Sequence, residues 1–185
     1  MPRPRSLVLV AFGGISVALM IWLLTSYRIS EYHGDGTMTD SGFWSYPRYS
    51  IALDPFPLFE TGTHKFSLAG LPREEMSLSL DVLGKSEKDR KMLAKLRNKI
   101  EASLADDEGH VVCKASGNIS DGITEKGWII TSTGSSAAVY HRACVDVPLH
   151  NHRTYVLTVG LSDVDSDSTA IYVKPYISGG GNELP

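Results

Sequence analysis

The chain has 185 residues, 42% of them hydrophobic, and 18 Lys and Arg against 21 Asp and Glu give a formal net charge of −3. All the acidic residues but only 15 of the basic ones lie beyond Arg28, so that part carries −6. This balance disfavours a nucleic-acid ligand, whose phosphates are held by cationic side chains, and the length beyond the first fifty residues suits one ordinary hydrophobic core rather than two.

Residues 1–5, MPRPR, precede an uncharged run over 6–27. About 20 apolar residues at ~1.5 Å each span a hydrocarbon core of ~30 Å. Trp22, Leu23 and Leu24 continue into Thr25, Ser26 and Tyr27 without the short apolar region and small-residue site of a cleaved signal. The run therefore reads as a retained signal-anchor helix. Arg3 and Arg5 before it, with only Arg28 close behind, place the N-terminus in the cytoplasm and the rest outside. The expected location is the inner (plasma) membrane, single-pass, with a periplasmic or extracellular domain. Gly14 and Ala18 form a small-x-x-x-small pair through which two such helices could approach as a homodimer.

Residues 28–48 are poor in aliphatics and read as a flexible linker, whose Phe43, Trp44 and Tyr46 would dock on the domain or at the lipid interface. From Tyr49 to Ile177 the dominant period is two, the signature of strands with one buried face. Tyr49, Ile51 and Leu53 share one side of a first strand, Phe66 and Leu68 lie in a second, and Met76, Leu78, Leu80 and Val82 in a third. HVVCKAS and WIITS follow. AAVYHRACVDV is expected to turn Val139, Ala143, Val145 and Val147 inward, and the last two strands to do so with Tyr155, Leu157, Val159 and Leu161 and with Ile171, Val173 and Ile177. One amphipathic helix is predicted at about 87–104, capped by Ser86 and carrying Met92, Leu93, Leu96, Ile100 and Leu104 on one face. The expected fold is mainly β: an antiparallel sandwich of about eight strands with one inserted helix, then a tail over 178–185.

The order Cys113, Trp128, Cys144 and the stretch Thr154-Tyr-Val-Leu-Thr-Val159 resemble immunoglobulin-type domains, in which a Trp packs on an inter-sheet disulfide. The interval from Trp128 to Cys144 is shorter than that pattern requires, and Tyr155 follows the second Cys rather than preceding it, so the resemblance implies an immunoglobulin-like sandwich in general. The layout of anchor, tether and small sandwich is similar to exported bacterial proteins, some of which are immunity proteins that protect cells against delivered toxins.

An exported compartment permits oxidation. Strand parity puts Cys113 on the core side with Val111 and Ala115, and Cys144 on the polar side with Tyr140, Arg142 and Asp146. Cys113 and Cys144 thus either pair through a bulge or crossed topology, or stay as separate thiols.

Asp163, Asp165 and Asp167 alternate in a turn between the last two strands. They suit a solvated turn, an acidic partner-binding tip, or oxygen ligands for calcium, although Ser168 and Lys174 stand where an EF-hand loop needs Gly and Glu. His150, His152 and His141 lack a closed zinc pattern and read as surface histidines. No nucleophile elbow, zinc-protease helix or phosphate loop is present, which points away from an enzyme and from a cofactor. Tyr140 and Arg142, and Tyr172 and Tyr176, face outward by alternation and are the residue types enriched at binding hot spots. The expected function is a membrane-tethered protein-binding module, an immunity protein or a component of an envelope or secretion assembly. It would use the Asp163–Asp167 tip and the tyrosines against a partner with a basic cleft. The alternative is a calcium- or glycan-binding sandwich.

Overall fold

A computed structural model describes residues 32–41, 47–72, 74–85, 89–120, 127–133, 136–150, 153–165 and 170–180. The expected anchor at 6–27, the Phe43–Tyr46 aromatics, Asp167 and His152 lie outside the described residues. Among those described, no helix is long and apolar enough to cross a membrane.

The alternating stretches form strands, in chain order β1 (His33–Gly34), β2 (Thr37–Asp40), β3 (Tyr49–Ala52), β4 (Phe56–Pro57), β5 (Gly62–Ala69) and β6 (Glu75–Leu83). After the single helical turn α1 (Arg90–Leu93) come β7 (Lys99–Asp106), β8 (Val111–Ser120), β9 (Trp128–Thr133), β10 (Ser136–Tyr140), β11 (Val147–Pro148), β12 (Thr154–Ser162) and β13 (Tyr172–Gly179). The chain is mainly β, and the thirteen strands form one curled sheet in the order β1-β5-β12-β7-β8-β9-β10-β6-β13-β3-β2, with β11 beside β6 and β4 beside β13. Two antiparallel halves, β1 to β8 and β9 to β2 in that order, are joined in the sheet where Ile119 and Ser120 of β8 pair in parallel with Trp128 and Ile129 of β9. Their inner faces make one core: Leu68, Leu157, Val159, Ile100 and Leu104 from the first half, and Ile51, Leu78, Leu80, Val139 and Ile177 from the second. The Trp128 indole N–H donates to the Ile100 carbonyl at 3.0 Å, satisfying its polar edge in the interior.

The two outer edges are linked by the segment carrying β1 and β2. The chain pairs His33 with Ala69, turns at Asp35–Gly36, and pairs Thr37 with Ala52 on the opposite edge. Asp35 donates its amide to the Ser67 carbonyl at 2.8 Å and accepts the Ser67 amide on its carboxylate at 2.7 Å. Gly36 has φ +84°, and a Cβ there would stand 2.4 Å from the Ala52 carbonyl oxygen, so the corner needs glycine. Residues 32–41 are thus part of the sheet rather than of a linker.

Three further expectations are corrected. The helix at about 87–104 shrinks to Arg90–Leu93, because Ile100, Ala102 and Leu104 are the buried face of β7. A spacing of four fits a helical face and a strand face alike, and the small Ala102 hid the intervening core position. Second, AAVYHRACVDV is not one strand: β10 leaves β6 after Tyr140, a 3-10 turn covers Arg142–Cys144, and the chain rejoins β6 as β11. The excursion resets the parity, so Ala143 is exposed and Cys144 buried. Third, the last two strands, which a turn between them would make a hairpin, are not neighbours: β12 lies between β5 and β7, and β13 between β6 and β3, in different halves.

Candidate functional site

The sheet has two ends. At the near end, where His33 pairs with Ala69, also lie Thr154, Asp106, Glu75 and Gly179. At the far end Leu83 pairs with Tyr172 and Ser162 with Lys99.

The far end holds the acidic loop. Asp163 is exposed at φ 49°, close enough to Lys99 to raise the ammonium pKa together with its main partner Glu101. Asp165 is committed to the backbone: its carboxylate accepts the Arg97 amide at 3.2 Å and its own amide donates to the Asn98 side-chain oxygen at 3.3 Å. Asn98 is buried and donates to the Leu58 carbonyl at 2.7 Å, so the loop is pinned to the connection leading into β7. Beside it the far end exposes apolar surface. Tyr172 and Leu83, cross-strand partners, are 43% and 40% exposed, and the Tyr172 ring meets Phe59 edge-on at 5.6 Å.

The other predicted tyrosines sit elsewhere. Tyr176 and Tyr140 both pair with Ser79, one on each side, in the middle of the second half's outer face. Both are half-buried, and Arg142 is exposed on the 3-10 turn beyond Tyr140. The structure therefore separates Tyr140, Tyr176 and Arg142 from the Asp163–Asp165 loop and leaves Tyr172 nearest to that loop's end of the sheet.

Cys113 and Cys144 are bonded to each other, with Cα atoms 5.4 Å apart and both side chains buried. The excursion after β10 brings Cys144 to β8, so the bridge ties the first half to the second beside their short parallel seam. His141, expected at the surface, is 8% exposed: its ring accepts the Ala143 amide at 3.1 Å and meets Trp128 edge-on at 5.7 Å. Burial lowers its pKa. His150 is exposed, and its backbone N–H and C=O both bond the Tyr155 hydroxyl, at 2.8 and 3.1 Å.

A charged cluster that sequence reading passed over occupies the β7–β8 turn. Asp106, Glu108 and His110 bring ligand-type atoms within 4.8 Å of one another. Asp106 is buried and accepts the amides of Glu108 at 3.0 Å and His110 at 2.8 Å; Arg153 bonds its carboxylate directly and reaches Glu108 at 3.1 Å. Burial opposes ionisation of Asp106, but the His110 amide and ring and Arg153 outweigh it and hold the carboxyl below its usual range. With a guanidinium already bonded to both carboxylates, the cluster is a turn braced by its own ion pairs. The signal available in the sequence was Asp-x-x-Gly, a turn former; Arg153 is 47 residues away.

No protein family, curated protein or solved structure matches the chain, and its function is argued from this geometry alone.

Proposed function

We propose that the chain is a membrane-tethered, extracytoplasmic module that binds a protein partner through the far end of its sheet. The observation that carries this reading is the adjacent exposure of Tyr172 and Leu83, backed by Phe59, at the end of the sheet opposite to His33. Apolar and aromatic side chains that pack on one another yet remain open to water are costly unless a partner covers them, and Tyr is the residue type that dominates interface energetics. Asp163 is exposed at the same end of the sheet and suits a partner with a basic cleft, whose approach it would speed. Within this class, protection against a delivered toxin and attachment to an envelope or secretion assembly are the two concrete versions. An immunoglobulin-like sandwich is in keeping with the two facing half-sheets, the buried Trp128 and the Cys113–Cys144 bridge between the halves.

The test is quantitative affinity purification of the full chain from solubilised membranes, run in parallel for the parent, Tyr172→Ala and Leu83→Ser. One partner at stoichiometric recovery with the parent is expected to fall about ten-fold or more with either variant, as hot-spot truncation costs ~2 kcal/mol. Equal recovery with all three proteins would move the interface elsewhere.

A further inference from the structure

The outer face of the second half carries a surface that the protein-binding reading leaves unused. In register across five strands lie Thr37, Ala52, Tyr176, Ser79 and Tyr140. The next row toward the near end is made of hydroxyls alone, Thr39, Ser50, Ser178 and Ser77; Ser50 is buried, and Ser77 accepts the Asp146 amide on its Oγ at 3.2 Å, which leaves its own O–H to donate. The next row toward the far end contains Lys174 and Asp81 as cross-strand partners, so the charges on these three rows cancel where they stand.

Three properties limit what such a face can hold. Its balanced charge offers no purchase to a strongly ionic ligand. Its wealth of Ser and Thr is unlike the core of a protein–protein interface, where Ser is depleted. Its hydroxyls, each both donor and acceptor, match a ligand that is itself rich in hydroxyls. Tyr140 and Tyr176 flank Ser79 one strand away on either side, which sets their Cα atoms roughly 10 Å apart across two strand spacings. That separation suits two rings stacking on alternate sugars of an extended polysaccharide, with Ser79 and the neighbouring hydroxyl row beneath the sugar between them.

We propose that the face made by β10, β6, β13 and β3 binds a neutral, extended, β-linked glycan running across the strands, with Tyr140 and Tyr176 as stacking platforms and Ser77, Ser79 and Ser178 as hydrogen-bonding partners. The site is distinct from the far-end patch of Tyr172 and Leu83.

The experiment is a calorimetric titration of the full-length protein in detergent with chitohexaose, using maltohexaose, whose α-linkages coil the chain, as the control. Chitohexaose is expected to bind and maltohexaose to bind at least about ten-fold more weakly. Tyr140→Ala and Tyr176→Ala should each weaken binding about ten-fold, while Tyr176→Phe, which keeps the ring, should stay within about three-fold. Tyr172→Ala should leave the affinity unchanged. If an alanine variant does not fold, Ser79→Lys, which fills the space between two intact rings, supplies the same readout. Affinity should also be insensitive to salt, because no net charge is screened. Absence of chitohexaose binding, equal binding of both sugars, or full affinity in Tyr140→Ala, Tyr176→Ala and Ser79→Lys would each overturn the proposal. None of these results bears on the far-end partner, which the Tyr172 and Leu83 variants test separately.

Discussion

On the outer side of the first half, Lys65, Thr158, Ser103 and Lys114 form a cross-strand row with a cation at each end. The matching side of the second half places Tyr176, Ser79 and Tyr140 in a row, with the Lys174–Asp81 pair beside it. Both halves contribute equally well-alternated strands to one core, so the difference is not imposed by folding. Lysines are strongly hydrated and keep a face in water, whereas tyrosines left half-buried on a sheet offer contact area at little entropic cost. The first row is charged and open to water, whereas the second holds half-buried rings.

The comparison is broken most severely by uncoupling the halves. Cys113→Ser or Cys144→Ser removes a bridge that closes a separation of 31 residues; the expected loss is about 3–4 kcal/mol on the chain-entropy account. Urea unfolding of the parent with and without reductant, beside the variants, measures it. A loss below about 1 kcal/mol would mean that strand pairing alone holds the halves together.

A smaller pair of effects, opposite in sign, probes the near end. Tyr49 packs on its cross-strand partner Gly179, where a Cβ would fall 2.4 Å from the ring, so Gly179→Ala should destabilise by about 1–3 kcal/mol through overpacking. The Tyr49 hydroxyl is buried without a hydrogen-bond partner among the described residues, and burial, with Glu74 and Tyr155 nearby, pushes its pKa far above the usual tyrosine value. Tyr49→Phe removes that orphan and should be neutral or stabilising by up to ~1 kcal/mol in thermal unfolding. A clear loss on Tyr49→Phe would reveal a partner for the hydroxyl.

The smallest expected effect is a pH dependence. His141 has its pKa lowered by burial in the folded state, so below about 6.5 the unfolded chain takes up the proton first and stability falls as pH decreases. Asp106, held below its ordinary value of 3.8, loses its contribution only at still lower pH. The melting temperature should therefore drop between about pH 7 and pH 5, and His141→Gln should flatten that slope. An unchanged slope in the variant would assign the dependence to another group.

Much of the strand content was legible because period two survives wherever one face is buried: Tyr49, Ile51, Leu78, Leu80, Leu157, Val159 and Val173 all fall inward as alternation requires. Reading failed where two periods coincide, as at Ile100 and Leu104, and where a strand is interrupted, as between Tyr140 and Val147. Neither is a defect of composition. The first is an arithmetic overlap of helix and strand spacing; the second depends on a 3-10 turn that sets Cys144 against Cys113, a partner 31 residues away. The tyrosines were found as a set, but their division between the face and the far end depends on which strands pair, which alternation within one strand does not encode. Asp165 likewise looked like part of an exposed tip until the Arg97 amide and Asn98 were seen to hold it.

The placement of the last two strands also fixes a schedule. β12 is the bridge between β5 and β7, and β13 the bridge between β6 and β3, so each half lacks an interior strand until residues 154–179 are available. The run β7-β8-β9-β10-β6 can pair before then, but β5 and β3 gain their places only when β12 and β13 arrive, so contacts of long sequence separation close last, which slows folding. Neither half is complete before the C-terminal strands are in place, so both complete together.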